Sequence, residues 1–137
     1  MKFIASSISE LGEVANYIQE ELTKCPIVLF HGDLGAGKTT LIKEIGSKLR
    51  VTSTMSSPSF GIVNEYETPN GLVYHIDLYR IKDVAEIYEF GLPEILDSGS
   101  PCFIEWPEKV EEIWHDYDHF DVHMDIINST DRRIFVK

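Results

Sequence analysis

The sequence predicts an α/β protein: a mixed, mainly parallel sheet flanked by helices, with antiparallel hairpins. Three observations carry that expectation. The stretch Gly32-Asp33-Leu34-Gly35-Ala36-Gly37-Lys38-Thr39, followed by Thr40, fits G-x-x-x-x-G-K-[ST], a loop whose glycines let successive N–H groups turn into one concavity for phosphate. An unbroken apolar run, Pro26 to Phe30, precedes it and reads as a buried parallel strand, while Leu41, Ile42, Ile45 and Leu49 follow at helical spacing. The loop therefore joins a strand end to a helix N-terminus, where the dipole favours anions. Later apolar runs end on carboxylates, at Asp77 and Glu105, as strands do that open onto the same crevice of an α/β sheet. The fold so defined is P-loop NTPase-like, with residues 1–137 as one domain.

Each element has its own local warrant. Lys2 to Ala5 reads as a short edge strand. Ser7 and Glu10 form a capping box ahead of a helix to about Leu22, whose Leu11, Val14, Ile18 and Leu22 keep one face. Val51 to Ser59, rich in Ser and Thr, has no period and reads as a loop. Phe60 to Asp77 reads as a β-hairpin around Thr68-Pro69-Asn70-Gly71. Asp83 and Glu86 cap a short helix that Gly91 ends, and Pro93 to Leu96 adds a helical turn. Cys102 to Ile104 is a buried strand. Pro107 opens a helix carrying Val110, Ile113 and Trp114. Phe120, Val122, Met124 and Ile126 alternate with His119, Asp121, His123 and Asp125 as a half-exposed strand, and Arg133 to Lys137 returns as the last one.

The bulk properties narrow the function classes. A net charge of −11 repels a phosphate backbone and disfavours direct nucleic-acid binding as the main activity. Cys25 and Cys102 lack CxxC spacing and read as free thiols of a reducing compartment. Met1 to Glu10 lacks the apolar core of a signal peptide, and no apolar stretch is long enough to span a membrane, so a cytoplasmic location is expected.

Phosphate binding alone does not give hydrolysis. Lys38 is placed to reach the β- and γ-phosphates and the Thr39 hydroxyl to ligate Mg²⁺. A second acid at a neighbouring strand end is needed to hold metal and position water, and Asp77 and Glu105 both fit. In the loop after the P-loop helix, Ser57 and Ser59 are candidate hydroxyls for a nucleotide-dependent switch. Arg80 either contacts phosphate or pairs with Asp83 or Glu86, the pair being favoured. His31 and His75 read as structural polar residues. The His119/Asp121/His123/Asp125 array resembles a metal cluster, but alternation with apolar residues already accounts for it as the wet face of a strand. Trp106 either stacks near a nucleotide or packs in the core, and its spacing does not separate the two. The absence of N-K-x-D removes the guanine-reading element and turns the choice towards ATP.

Taken together, Gly32 to Thr40, Ser57-Pro58-Ser59-Phe60, Tyr74-His75-Ile76-Asp77-Leu78-Tyr79-Arg80 and Ile104-Glu105-Trp106-Pro107 resemble the TsaE (YjeE) family, the small P-loop ATPases of tRNA threonylcarbamoyladenosine synthesis. The resemblance implies that Gly32, Asp33, Leu34, Gly35, Ala36, Gly37, Lys38, Thr39 and Thr40 hold the phosphates and Mg²⁺. It implies that Ser59 belongs to a switch I-like loop, where relatives more often carry Thr. Asp77 takes the Walker B-type role at the metal, and Glu105 lies near the γ-phosphate and the metal. It further implies TsaD and TsaB as protein partners, with tRNA met only indirectly, and a weak Mg-dependent ATPase that cycles their complex. Two other classes compete: a small-molecule kinase, disfavoured by only four arginines to clamp phosphates, and a nucleotide-dependent binding module with incidental hydrolysis.

Overall fold

The computed structural model describes residues 1–53, 55 and 62–137. Its elements are β1 (Lys2–Ala5), α1 (Leu11–Leu22), β2 (Ile27–His31), α2 (Lys38–Lys48), β3 (Val63–Thr68), β4 (Gly71–Asp77), α3 (Glu86–Glu89), α4 (Leu92–Asp97), β5 (Cys102–Glu105), a 3₁₀ segment (Pro107–Asp116), β6 (Phe120–Ile126) and β7 (Arg132–Val136). The strands form one sheet in the order β1-β7-β6-β2-β5-β4-β3. The four central strands β6, β2, β5 and β4 run parallel, and antiparallel pairs β6–β7, β7–β1 and β4–β3 finish both sides. The expected mixed α/β sheet with hairpins is thus the observed one.

The apolar run of β2 has its reason in this order. The strand lies between β5 and β6 and must be apolar on both faces. Val28 and Phe30 join Phe103, Val122 and Met124 beneath α1 and α2, while Ile27 and Leu29 join Ile76, Ile104 and residues of α3, α4 and the 3₁₀ segment. Full burial of each such Leu, Ile or Phe contributes about 1.5–3 kcal/mol, so this strand is the axis of both cores.

Local signals set most element ends. The Ser7 box forms in a relaxed version. Glu10 N–H donates to Ser7 Oγ at 3.4 Å, and Glu10 Oε2 accepts from the N–H of Ser6 at 2.6 Å. Three i→i+3 backbone bonds then wind the chain into α1, which starts at Leu11. Glu86 Oε2 accepts from the N–H groups of Lys82 and Asp83 at 2.7 and 2.8 Å. Gly91, at φ 82°, supplies the left-handed turn between α3 and α4. The hairpin β3–β4 turns at Pro69-Asn70, with Thr68 paired to Gly71. Its expected start at Phe60 lies outside the described residues.

The segment after Pro107 departs from expectation. It is a 3₁₀ helix broken at Val110, where φ is −138° and ψ 49°, not a continuous α-helix. Trp114 explains the tighter winding: its indole N–H donates to the Pro107 carbonyl at 2.9 Å, folding the segment across itself over β2. Among the described residues, no helix is long and apolar enough to cross a membrane.

Candidate phosphate and metal site

The glycine loop leaves β2 at Gly32 and enters α2 at Lys38, with Gly35 and Gly37 in the left-handed region at φ 83° and 99°. Gly32 answers a different need. A Cβ there would lie 2.7 Å from the carbonyl oxygen of Met124, so only glycine lets the loop start against β6. Ala36 is fully buried under the loop, while Asp33, Leu34 and Gly35 face solvent.

Lys38 is 4% exposed. Its Nζ donates to the Gly32 carbonyl at 2.6 Å and lies 3.7 Å from the centre of the Trp106 ring. Burial pulls its pKa below the usual lysine value, while Glu105, Glu108, Asp77 and Asp33 push it back up. Trp106 is therefore at the phosphate loop, stacked on its lysine and tilted against Tyr79 at 4.9 Å. It holds a left-handed backbone at φ 58°, ψ 48°, a strained geometry for a bulky residue of the kind that gathers at functional sites.

The carboxylates arrive from two neighbouring strands. Asp77 and Glu105 are register partners across the parallel pair β4–β5. Glu105, 4% exposed, receives the Thr39 hydroxyl at 3.3 Å on Oε2 and 3.5 Å on Oε1. Its Oε2 lies 2.6 Å from His75 Nε2. Asp77 accepts the Tyr79 N–H at 2.9 Å. The residues singled out at Lys38, Thr39, Asp77 and Glu105 thus converge at the C-terminal ends of β2, β4 and β5. Ser59 lies outside the described residues.

Burial lifts the Asp77 pKa above its usual carboxylate value. Glu105 adds to this, and the Tyr79 N–H, His75 and Lys38 oppose it. A raised folded-state pKa stabilises the fold below the unfolded value, about 3.9, and that contribution is lost as pH rises through the folded value. Ionised Asp77 therefore weakens the empty protein at neutral pH. Asp77→Asn keeps the Tyr79 bond and is expected to raise the melting temperature at pH 7, with the gain closing towards pH 4. Thermal melts across that range measure it.

Two further residues take part that sequence reasoning had set aside. His75 is 1% exposed and fixes Glu105, while its Nδ1 has no hydrogen-bond partner among the described residues. The signal was present: H-x-D spacing on a strand puts both side chains on one face. Arg132 of β7 donates to the loop carbonyls of Ala36 at 3.0 Å and Gly35 at 3.5 Å and to Asn128 O at 2.9 Å. It ties the glycine loop to the far hairpin. Hydrogen bonds from a charged group are each worth about 1.5–3 kcal/mol. Arg132→Ala is expected to weaken nucleotide binding about 10- to 100-fold without unfolding the sheet, as titration calorimetry would show. Arg132 also borders a cleft of about 280 Å³ with Ser6, Ser7, Ile8, Gly37 and Thr40.

A strand–glycine loop–helix with an enclosed lysine and two carboxylates on adjacent strand ends defines a P-loop-like α/β protein. The family model for "Threonylcarbamoyl adenosine biosynthesis protein TsaE" matches residues 5–134, and the chain belongs to the TsaE family. Proteins named tRNA threonylcarbamoyladenosine biosynthesis protein TsaE are similar to it. The one from Rickettsia felis is 39% identical over 111 residues, 80% of this chain and 64% of the relative's length. That from Rickettsia typhi is 40% identical over 79% of this chain and 75% of its own, and that from Synechocystis 33% identical over 82% and 74%. The crystal structure of Bacillus subtilis YdiB superposes with a TM-score of 0.71 at 25% identity, covering 99% of this chain and 83% of that one.

Proposed function

We propose that the chain binds ATP with Mg²⁺, hydrolyses it, and uses the hydrolysis to cycle a TsaD–TsaB complex during threonylcarbamoyladenosine formation on tRNA. The observation that carries the hydrolytic part is the convergence of Lys38, Thr39, Asp77 and Glu105 on one loop. The tRNA step follows from family membership, and the two partners from the sequence resemblance.

Thr39, Asp77 and Glu105 offer only oxygen donors. That set suits Mg²⁺, which favours one or two carboxylates together with substrate phosphates and waters. Bound there, Mg²⁺ would neutralise charge developing on the phosphates. The residues of the chain do the rest. The loop N–H groups from Asp33 to Thr39 receive phosphate oxygens, and Lys38 exchanges the Gly32 carbonyl for phosphate under the Trp106 ring. Glu105 orients the attacking water through the oxygen that His75 leaves open, and His75 holds the carboxylate in place. The cleft bordered by Ser6, Ile8, Thr40 and Arg132 takes the nucleoside. The acidic surface leaves tRNA to the partner proteins.

The test is multiple-turnover tRNA modification by TsaD and TsaB with this chain and either ATP or a non-hydrolysable analogue. The proposal expects many cycles with ATP and at most one with the analogue. Many cycles with the analogue would reduce the protein to a nucleotide-dependent binding module. A phosphorylated small-molecule acceptor in place of free phosphate would make it a kinase.

A further inference from the structure

Three histidines and an aspartate meet on the sheet face opposite the phosphate site. β6 is an interior strand, and its parallel partner β2 brings His31 level with His123 and Leu29 level with Asp121. These side chains share the face of Leu29, whereas Phe30 and Glu105 turn towards α2. His31 Nε2 lies 2.7 Å from Asp121 Oδ1, and the rings of His31 and His123 stack at 4.4 Å with 9° between planes. One donor atom from each of His31, Asp121 and His123 lies within 4.8 Å of the other two. All three are half-buried.

His119 supplies an independent indication. Its Nδ1 is 2.9 Å from the Tyr117 carbonyl, which only accepts, so Nδ1 carries a proton. Its Nε2 lies 3.7 Å from Asp121 Oδ2. A backbone carbonyl holding the far nitrogen is also the arrangement that orients metal-bound histidines. The separation is close to the roughly 3.4 Å edge of a tetrahedron of ligands about 2.0–2.1 Å from a metal.

We propose that His31, Asp121 and His123, with His119 as fourth donor, form a binding site for a borderline divalent transition ion such as Zn²⁺, separate from the nucleotide's Mg²⁺ site. Imidazole nitrogens with a single carboxylate select Zn²⁺ and its neighbours over Mg²⁺, which prefers oxygen. The way in is a cleft of about 710 Å³ whose wall carries Glu108, Glu111 and Asp118, a field that draws cations. Binding displaces the proton of the His31–Asp121 hydrogen bond and turns the His123 ring out of its stack on His31, because near-parallel rings cannot both aim an in-plane lone pair at one ion. It also ties the end of β2, one residue before Gly32, to β6.

The test uses the full chain without a histidine tag, titrated with Zn²⁺ by calorimetry and with Co²⁺ by visible absorption. The expected result is one equivalent bound, with the d–d absorption of a four-coordinate site. Affinity should fall at least about tenfold in both His123→Asn and Asp121→Asn and stay unchanged in Thr39→Ala, which removes the hydroxyl that meets Glu105 at the phosphate site. Circular dichroism of each variant controls for folding. Equal binding by wild type and His123→Asn, or loss of binding in Thr39→Ala, would overturn the proposal, as would no Zn²⁺ binding by the folded wild type. None of these outcomes depends on ATP hydrolysis.

Discussion

Lys38→Ala is expected to weaken nucleotide binding about 100-fold while leaving the protein folded. The lysine is the fully buried cation at the glycine loop, where Arg132 is only half-buried, and a charge-assisted bond to phosphate contributes about 1.5–3 kcal/mol. The folded protein loses the Gly32 carbonyl bond, the Trp106 contact and the attraction of Glu105, Glu108, Asp77 and Asp33, but it is relieved of a cation whose charged form burial disfavours. Titration calorimetry with Mg²⁺-ATP reads the binding, and a thermal melt reads the fold. A variant that binds like the wild type would mean that the loop does not hold the nucleotide through this lysine.

Glu105→Gln is expected to act on the other side of the reaction. It should lower kcat by about 10²- to 10⁴-fold, the range of a positioned acid or base, while changing nucleotide affinity less than about tenfold. Glutamine is the informative replacement. Alanine would leave the fully buried His75 with both ring nitrogens unpartnered, because Nδ1 already lacks a partner among the described residues. An orphaned buried polar atom costs about 1–3 kcal/mol, so Glu105→Ala would mix a folding defect with the catalytic one. Parallel loss of affinity and turnover would instead make Glu105 mainly a metal-holding group.

These expectations rest on a fold that was legible where signals were local. The apolar run before Gly32, the helical period after it and the Thr68-Pro69-Asn70-Gly71 turn each act over a few residues, and so the strand–loop–helix and the hairpin followed directly. Asp77 and Glu105 were legible because each ends an apolar strand, although only the β4–β5 register makes them neighbours. The segment after Pro107 was misread as an ordinary helix because Val110, Ile113 and Trp114 fit that period. What changes the winding is the Trp114 bond back to Pro107, which spacing does not reveal. Arg132 and the His31–Asp121 pair were hidden for a different reason. Their partners are 96 and 90 residues away in the chain, and strand order alone brings them together.

The central claim, that the site hydrolyses the phosphate it holds, is tested most directly by phosphate release from Mg²⁺-ATP. It should be measured beside nucleotide binding for the wild type and Glu105→Gln, with and without TsaD and TsaB. The expected result is binding by both proteins and magnesium-dependent release of free phosphate by the wild type alone. Equal release by the two proteins would contradict the account.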